Sequence, residues 1–498
     1  MTTSNDALRS TPPLARLDRF YIGGKWVAPS SDATIAVTDS STEELYFRVA
    51  EARGPDVERA AAAARHAFDE GPWPLLSHAE RAAYLRALAD GVRARIEDAS
   101  SIWPRESGVL HSAARARLEG IPRVYDFYAG LADTYSFEER ATPTAGGEFG
   151  LLVREPVGVV AAIIPWNSPM SLIAHKIAPA LLAGCTVVLK ASPEAPGNAY
   201  LMAEIAESIG LPPGVLNVLT ADREASELLV RDPRVDKIAF TGSTAAGRRI
   251  ASLCGERIAR VTLELGGKSA AVVLDDYDLG KVAANLSAAE CFLTGQVCSS
   301  LTRVVVSKHR HDALLEALAS AFSTVQVGDP FDPASQMGPL AAERQRDRVL
   351  DFIEKGKVEG ATLATGGGRP AHLDRGWFVE PTVFGNVSNS STLAREEIFG
   401  PVLTVIPAED EEDAVRIAND TIYGLNASVF TDNVDRARAV ARRLRSGTVG
   451  HNSFRSDFGI AFGGFKQSGL GREGGKEGLL PYLEVKTVIL DAVPQEYR

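Results

Sequence analysis

The 498 residues contain four cysteines, Cys185, Cys254, Cys291 and Cys298, and no two of them form a CxxC pair. Such spacing suggests neither a zinc ribbon nor a disulfide framework, and a reducing, cytoplasmic setting is expected. No stretch stays apolar for the ~18 residues that a membrane span needs. The N-terminal segment carries acids and prolines and lacks an apolar core of signal-peptide length. A soluble chain with a flexible tail over residues 1–19 is therefore expected. Positive charge is in deficit too: 53 Lys and Arg against 64 Asp and Glu leave a net charge of −11, with no long block of either sign. A nucleic-acid partner, which needs a basic stripe to offset phosphates, is excluded. His309 and His311 flank Arg310 with no further ligands nearby in sequence, so they read as solvated surface and no metal is expected.

What is present is apolar substance and order. With 45% apolar residues, the chain can fill two or three domain cores. Phe20 to Val27 reads as a hairpin around Gly23-Gly24. From Asp56 to Phe68 and from His78 to Ile96, alanines and leucines recur at helical spacing, with Asp56 and Ser77 as the expected caps. After Val157 the texture changes to strand, loop, helix and strand: Val157 to Ile164, the break Pro165-Trp166-Asn167-Ser168-Pro169, Leu172 to Leu182, then Thr186 to Leu189. The alternation repeats through Ala199 to Ile209, Val215 to Leu219, Ala225 to Val230 and Lys237 to Phe240. It predicts an α/β fold, Rossmann-like, with a parallel sheet whose ligand crevice lies at the carboxyl ends of its strands.

Two motifs carry chemistry. Cys298, in Gly295-Gln296-Val297-Cys298, offers a thiol able to attack a carbonyl; Glu264, ahead of Leu265-Gly266-Gly267-Lys268, offers a carboxylate able to activate water. The plain alternative for a lone cysteine is a small buried hydrophobe, which is the reading kept for Cys185, Cys254 and Cys291. Thr241 to Gly247 follows a strand and opens a helix, so its backbone N–H groups could hold a phosphate. Its spacing resembles a P-loop, yet Arg248-Arg249 stands where Lys-Ser/Thr would be, and a plain turn with a helix cap explains it equally well.

In order along the chain, Pro165-Trp166-Asn167, Lys190, Phe240 to Thr244, Leu263 to Lys268, Gly295 to Cys298, Glu396 to Pro401 and Phe462 to Lys466 with Ser468-Gly469 resemble the aldehyde dehydrogenase superfamily from Phe20 to about Thr487. The resemblance implies Cys298 as nucleophile, forming a thiohemiacetal and then a thioester. Asn167 would donate its amide to the oxyanion, and Glu264 would activate the hydrolytic water. It places NAD against Ile164, Pro165, Trp166, Lys190, Glu194, Gly242, Ser243, Leu265, Glu397 and Phe399. Surface charge is the plain alternative for Lys190 and Glu397, and turn shaping for Asn167. A carboxylate at 264 favours a free acid as product over an acyl-coenzyme A.

Three departures from the family pattern matter. Pro193 stands where NAD-preferring members carry a glutamate, with Glu194 one residue on, which keeps NAD as the choice and leaves NADP open. Lys476 falls where some members have a second glutamate, and Ala461 replaces the proline usual before Phe462. The aldehyde tunnel maps to Ser168, Leu172, His175, Phe292, Val297, Phe454, Phe458 and Phe462, a largely apolar set that favours a hydrophobic aliphatic, aromatic or terpenoid aldehyde. His175 reads as a pocket or helix-face residue in preference to a second base.

By the same resemblance the cofactor domain takes residues 1–137 and 151–263 and the catalytic domain 264–472. Segments 138–150 and 473–498 would serve oligomerisation, with the strand Val485 to Leu490 pairing with a neighbouring subunit in a homodimer or homotetramer. The rival readings are a thiol acyltransferase or esterase, which needs no cofactor set, and a catalytically silent relative, which would be expected to lose Cys298, Glu264 or Asn167.

Overall fold

The computed structural model describes residues 11–498. Five parallel strands form the heart of an eight-stranded sheet, in the order Arg260–Glu264, Lys237–Thr241, Val159–Ile163, Thr186–Ala191 and Leu216–Thr220. The hairpin Phe20–Ile22 and Lys25–Val27 closes one edge antiparallel, and Gly469–Leu470, from far along the chain, closes the other. Four of the five central strands are buried throughout, as sheets covered by helices on both faces must be.

A second sheet of seven strands is parallel except at one edge; its centre runs Val402–Ala408, Arg303–Ser307, Ala270–Val273 and Asn426–Phe430. A third, antiparallel sheet joins Leu483–Leu490, Phe149–Pro156 and Glu138–Ala141 within the one chain. Phe149–Pro156 belongs to this small sheet as a whole, so the segment expected to stop at residue 150 runs six residues further. Among the described residues no helix is long and apolar enough to cross a membrane.

The βαβ alternation appears where the apolar runs predict it, with helices Pro169–Ala183, Gly197–Ser208 and Arg223–Arg231 between the strands. Ser77 caps His78–Ala94, its hydroxyl accepting from Glu80 N–H. Asp56, by contrast, is not a cap: the helix starts at Gly54, and the Asp56 carboxylate reaches back to accept from Arg53 N–H at 2.9 Å. A carboxylate one turn inside a helix start satisfies the same free N–H groups. Residues 11–19, expected within a flexible tail, are instead tied down: Ala15 N–H donates to Glu204 at 2.8 Å, Arg16 pairs with Glu207 at 2.9 Å, and Arg95 donates to the Pro13 carbonyl. Residues 1–10 of that tail lie outside the described residues. His311 also departs from expectation, being buried at 3% exposure and accepting from Asn386 N–H; His309 is exposed beside Asp275.

Candidate active site

Strand register gathers the site. Ile163 pairs with Lys190 and with Phe240, and Thr241 pairs with Glu264, so the four central strands end in one row. Beyond that row lies a cavity of about 1500 Å³. Its opposite wall comes from the loops that enter the second sheet: Cys298 lies ahead of Arg303–Ser307, and Glu396 to Gly400 ahead of Val402–Ala408.

Glycines allow these loops to meet. A Cβ on Gly266 would lie 2.1 Å from Glu397 Oε2, and one on Gly267 would lie 2.5 Å from the Cys298 carbonyl oxygen. Gly295, at φ +70°, touches Gly400 so closely that a Cβ would come within 2.3 Å of its carbonyl carbon. Three motifs far apart in sequence are thus in backbone contact, and side chains there would force them apart. The turn before Cys298 is itself unusual, with Leu293 and Thr294 both left-handed at φ 51° and 55°. Thr294 Oγ1 donates to the Gly338 carbonyl at 2.9 Å and anchors it. Such conformations cost roughly 1–3 kcal/mol each and persist where surroundings hold them.

Cys298, Asn167 and Glu264 all line the cavity. Asn167 donates through Nδ2 to the Gln296 carbonyl at 3.0 Å, which leaves its second amide hydrogen free, while Trp103 Nε1 donates to the Asn167 carbonyl at 2.9 Å. Glu264 is buried with both carboxylate oxygens unpartnered. Gly463 makes room for it, since a Cβ there would stand 2.7 Å from Oε1. Burial, and then the nearby Glu473 carboxylate, push Glu264 well above the ordinary carboxylate range. Burial likewise pushes the Cys298 thiol far up, with Glu264 and Glu397 adding to it. Burial thus disfavours the charged form of both groups, the thiolate and the carboxylate.

The same cavity continues along Ile164, Pro165 and Trp166 to Lys190, Glu194, Gly242, Ser243 and Leu265, with Glu397 and Phe399 at the turn between the two halves. Ser243 caps the helix Thr244–Arg257, so the first N–H groups of that helix lie at the cavity wall. Burial lowers Lys190 to about 8, although Glu194 and Asp222 oppose the drop. Burial raises Glu397 to about 7 against the bond it accepts from Gly267 N–H at 3.2 Å. Pro193 does not turn Glu194 away: its carboxylate takes hydrogen bonds from the Ser192 hydroxyl and the Arg344 guanidinium inside the cavity wall.

With this arrangement in view, comparison with known proteins is direct. The model of the Aldehyde dehydrogenase family matches residues 26–488. The chain belongs to that family. It is 45% identical to the geranial dehydrogenase of Castellaniella defragrans over 94% of this chain and 98% of that protein. It is 38% identical to the chloroplastic betaine aldehyde dehydrogenase of Amaranthus hypochondriacus, over 96% and 97%. Among solved structures, a Mycobacterium tuberculosis aldehyde dehydrogenase complexed with NAD+ superposes with a TM-score of 0.93 at 42% identity, covering 97% of this chain and 99% of that one. A mutant aldehyde dehydrogenase C from Pseudomonas syringae, complexed with NAD+ and octanal, gives 0.93 at 38% identity, covering 98% and 100%.

Within this family member several site residues escape a reading by motif. Gln296 is fully buried and acts as a hub: Nε2 donates to the Ser107 and Leu293 carbonyls, and Oε1 accepts from Ala341 N–H and Trp166 Nε1. Glu473, not Lys476, is the second carboxylate. It is buried at 2% exposure, is ion-paired with Lys176, and lies close enough to Glu264 to raise it. Lys176 also donates to Thr241 Oγ1 at 2.7 Å. Lys476 sits instead on a short surface turn, over the Tyr135 ring.

Of the residues expected on the aldehyde side, Ser168, Leu172, Phe292, Val297, Phe454, Phe458 and Phe462 line the cavity. His175 does not: it is buried behind Phe458, the two rings stacked at 4.4 Å, and burial pushes it down to about 3. Lying one helical turn beyond Leu172, it meets the back of the wall. Away from the cavity lining and with its basicity depressed by burial, His175 is not placed to serve as a second base.

Proposed function

We propose that this chain oxidises an apolar aldehyde to the carboxylic acid with NAD, through covalent attachment to Cys298. The observation that carries the reading is that Cys298, Asn167 and Glu264 open onto the same cavity as Lys190, Ser243, Glu194 and Glu397. A thiol acyltransferase or esterase would have no use for the second set.

The cofactor fits what is there. The capped helix start at Ser243 suits a pyrophosphate, Lys190 and Glu194 suit ribose hydroxyls, and Glu397 with Phe399 suits the nicotinamide ribose. Bound there, the nicotinamide would accept the hydride that leaves the thiohemiacetal carbon.

The geometry supports the following part for the protein's own residues. Cys298 gives up its proton to solvent in the open cavity and its sulfur attacks the carbonyl carbon, forming a C–S bond and an oxyanion as the carbonyl π bond breaks. The free Asn167 amide hydrogen and the Cys298 backbone N–H donate to that oxygen, a type of contact worth roughly 3–4 kcal/mol per donor in the transition state. Loss of hydride leaves a thioester on Cys298. Glu264 then takes a proton from water as the water oxygen attacks the thioester carbon, and the C–S bond breaks to release acid and thiol. Burial and the Glu473 carboxylate disfavour the charged form of Glu264, so it acts as base through its deprotonated fraction.

An apolar substrate is supported by Leu172, Phe292, Val297, Phe454, Phe458 and Phe462, where each buried methylene adds about 0.8 kcal/mol. The relatives named for geranial and crystallised with octanal act on or hold such molecules. NADH absorbance, followed with aliphatic, aromatic and terpenoid aldehydes and with both NAD and NADP, tests the reading. Turnover with thioesters alone, and none with any aldehyde, would overturn it.

A further inference from the structure

We propose that Arg117 makes the outer part of the aldehyde cavity a recognition site for a carboxylate carried at the far end of the substrate, so that the preferred aldehydes have an apolar body and an anionic tail. The proposal rests on the aldehyde-oxidising reading above and extends it to the end of the substrate remote from the carbonyl.

Arg117 lies on the helix His111–Leu118 and lines the cavity. The helix carries a second arginine, Arg115, and the two are treated differently by the fold. Arg115 faces away and is paired with Glu97 at 2.6 Å. The Arg117 guanidinium makes no hydrogen bond or ion pair with any of the described residues; its neighbour is the ring of Phe292, with the guanidinium carbon 5.8 Å from the ring centre. Its residue surface is exposed to the cavity, yet the surrounding protein desolvates the charge enough to pull it below the usual arginine range. A guanidinium stays charged under any such shift, so the cost of partial desolvation is uncompensated until an anion arrives.

The one charge partner within reach of it is the Cys298 sulfur, were that to ionise. His175 is neutral behind Phe458, burial disfavours the charged form of Glu264, and Glu473 is already paired with Lys176. The remaining wall is largely Leu172, small apolar residues and aromatic rings, with Ser171, Asn285 and Ser456 as its uncharged polar members. A planar five-donor fork at the rim of an apolar tube matches a carboxylate in a bidentate manner and repels an ammonium. Phe292 holds the fork by its face, and it also lines the path to Cys298.

The test compares hexanal, octanal and decanal with the aldehydes of equal length that end in a carboxylate or a trimethylammonium group, in wild type, Arg117→Met and Arg117→Lys. The readout is the ratio of kcat/KM for the carboxylate-ended to the methyl-ended aldehyde within each enzyme, so that any general loss cancels. At the chain length that spans the cavity, the ratio should fall roughly 10- to 100-fold in Arg117→Met, through KM more than kcat, and recover in part in Arg117→Lys. The trimethylammonium-ended aldehyde should gain relative to the methyl-ended one in Arg117→Met. If methyl-ended aldehydes are oxidised but Arg117→Met leaves the ratio unmoved at every length, the assignment of Arg117 is wrong and the dehydrogenase reading stands. If wild type oxidises none of the aldehydes, the dehydrogenase reading fails and takes this one with it.

Discussion

The two halves of the cavity are built by different means. The cofactor half is lined by strand ends, glycines and one helix start, whose positions are set by backbone register: Ile163, Lys190, Thr241 and Glu264 fall into line because their strands pair. The aldehyde half is lined by side chains from the helices His111–Leu118 and Pro169–Ala183 and from the loop around Phe454 to Phe462. Backbone sites tolerate few alternatives, since a methyl group on Gly266, Gly267 or Gly295 would collide with neighbouring atoms. Side-chain walls can be exchanged one residue at a time. The first half should therefore define the reaction and the second the substrate.

Removing the nucleophile is the largest perturbation and tests whether the halves separate. Cys298→Ala should lower aldehyde oxidation by roughly 10⁴-fold or more while leaving NAD affinity nearly unchanged, as titration of the variant by NAD-induced fluorescence quenching would read. Substantial residual turnover would take Cys298 out of the nucleophile role. A large loss of NAD affinity would show that the halves are not independent.

Glu264→Gln comes next, at about 10²- to 10⁴-fold on the hydrolytic step. Rapid mixing should give one NADH per site and then a slow steady state. In wild type the hydrolytic rate should rise with pH, because a carboxyl whose pKa is raised by burial and by Glu473 becomes a base only as pH climbs through that elevated value. The Gln variant should lose that rise. Loss of the burst itself would mean that Glu264 acts earlier, on the Cys298 proton.

Asn167→Ala should cost about 10²- to 10³-fold in kcat with a smaller change in KM, since its free amide hydrogen is asked to bind an oxygen that is charged only in the transition state. A change confined to KM would reduce Asn167 to a turn residue held by Gln296 and Trp103.

How much of this was legible in the sequence follows the same division. The parallel sheet and its order of helices are short-range matters, an apolar run, a break and a helical run, whereas the cofactor residues are named through the family resemblance. Residues such as Gln296 and Glu473 act through partners distant in the chain. The Glu473 partner Lys176 is 297 positions away, and Gln296 gathers Ser107, Ala341 and Trp166. Lys476, which a linear reading puts in the place of Glu473, lies three residues further on. His175 had the right spacing to face the aldehyde, but the ring of Phe458, from a loop distant in the chain, stacks over it. Arg117 belongs to no motif, and only the fold brings it to the cavity.

The smallest expected effect falls on the cofactor half alone. Glu194 points into the cavity, where burial opposes its ionisation but Arg344 and Ser192 outweigh burial and hold the carboxyl below its usual range. It is thus charged at neutral pH and able to accept from a ribose 2′-hydroxyl while opposing a 2′-phosphate. Arg344 tempers the second effect, because part of the negative charge is already neutralised. Glu194→Gln should therefore raise KM for NAD by about tenfold, the scale of one charge-assisted hydrogen bond, and improve relative use of NADP, with Arg344 then free to meet the added phosphate. Kinetics with both cofactors and one saturating aldehyde would measure it. An unchanged ratio of kcat/KM for the two cofactors would mean that the Glu194 carboxylate serves to hold Arg344 across the cleft and does not read the ribose.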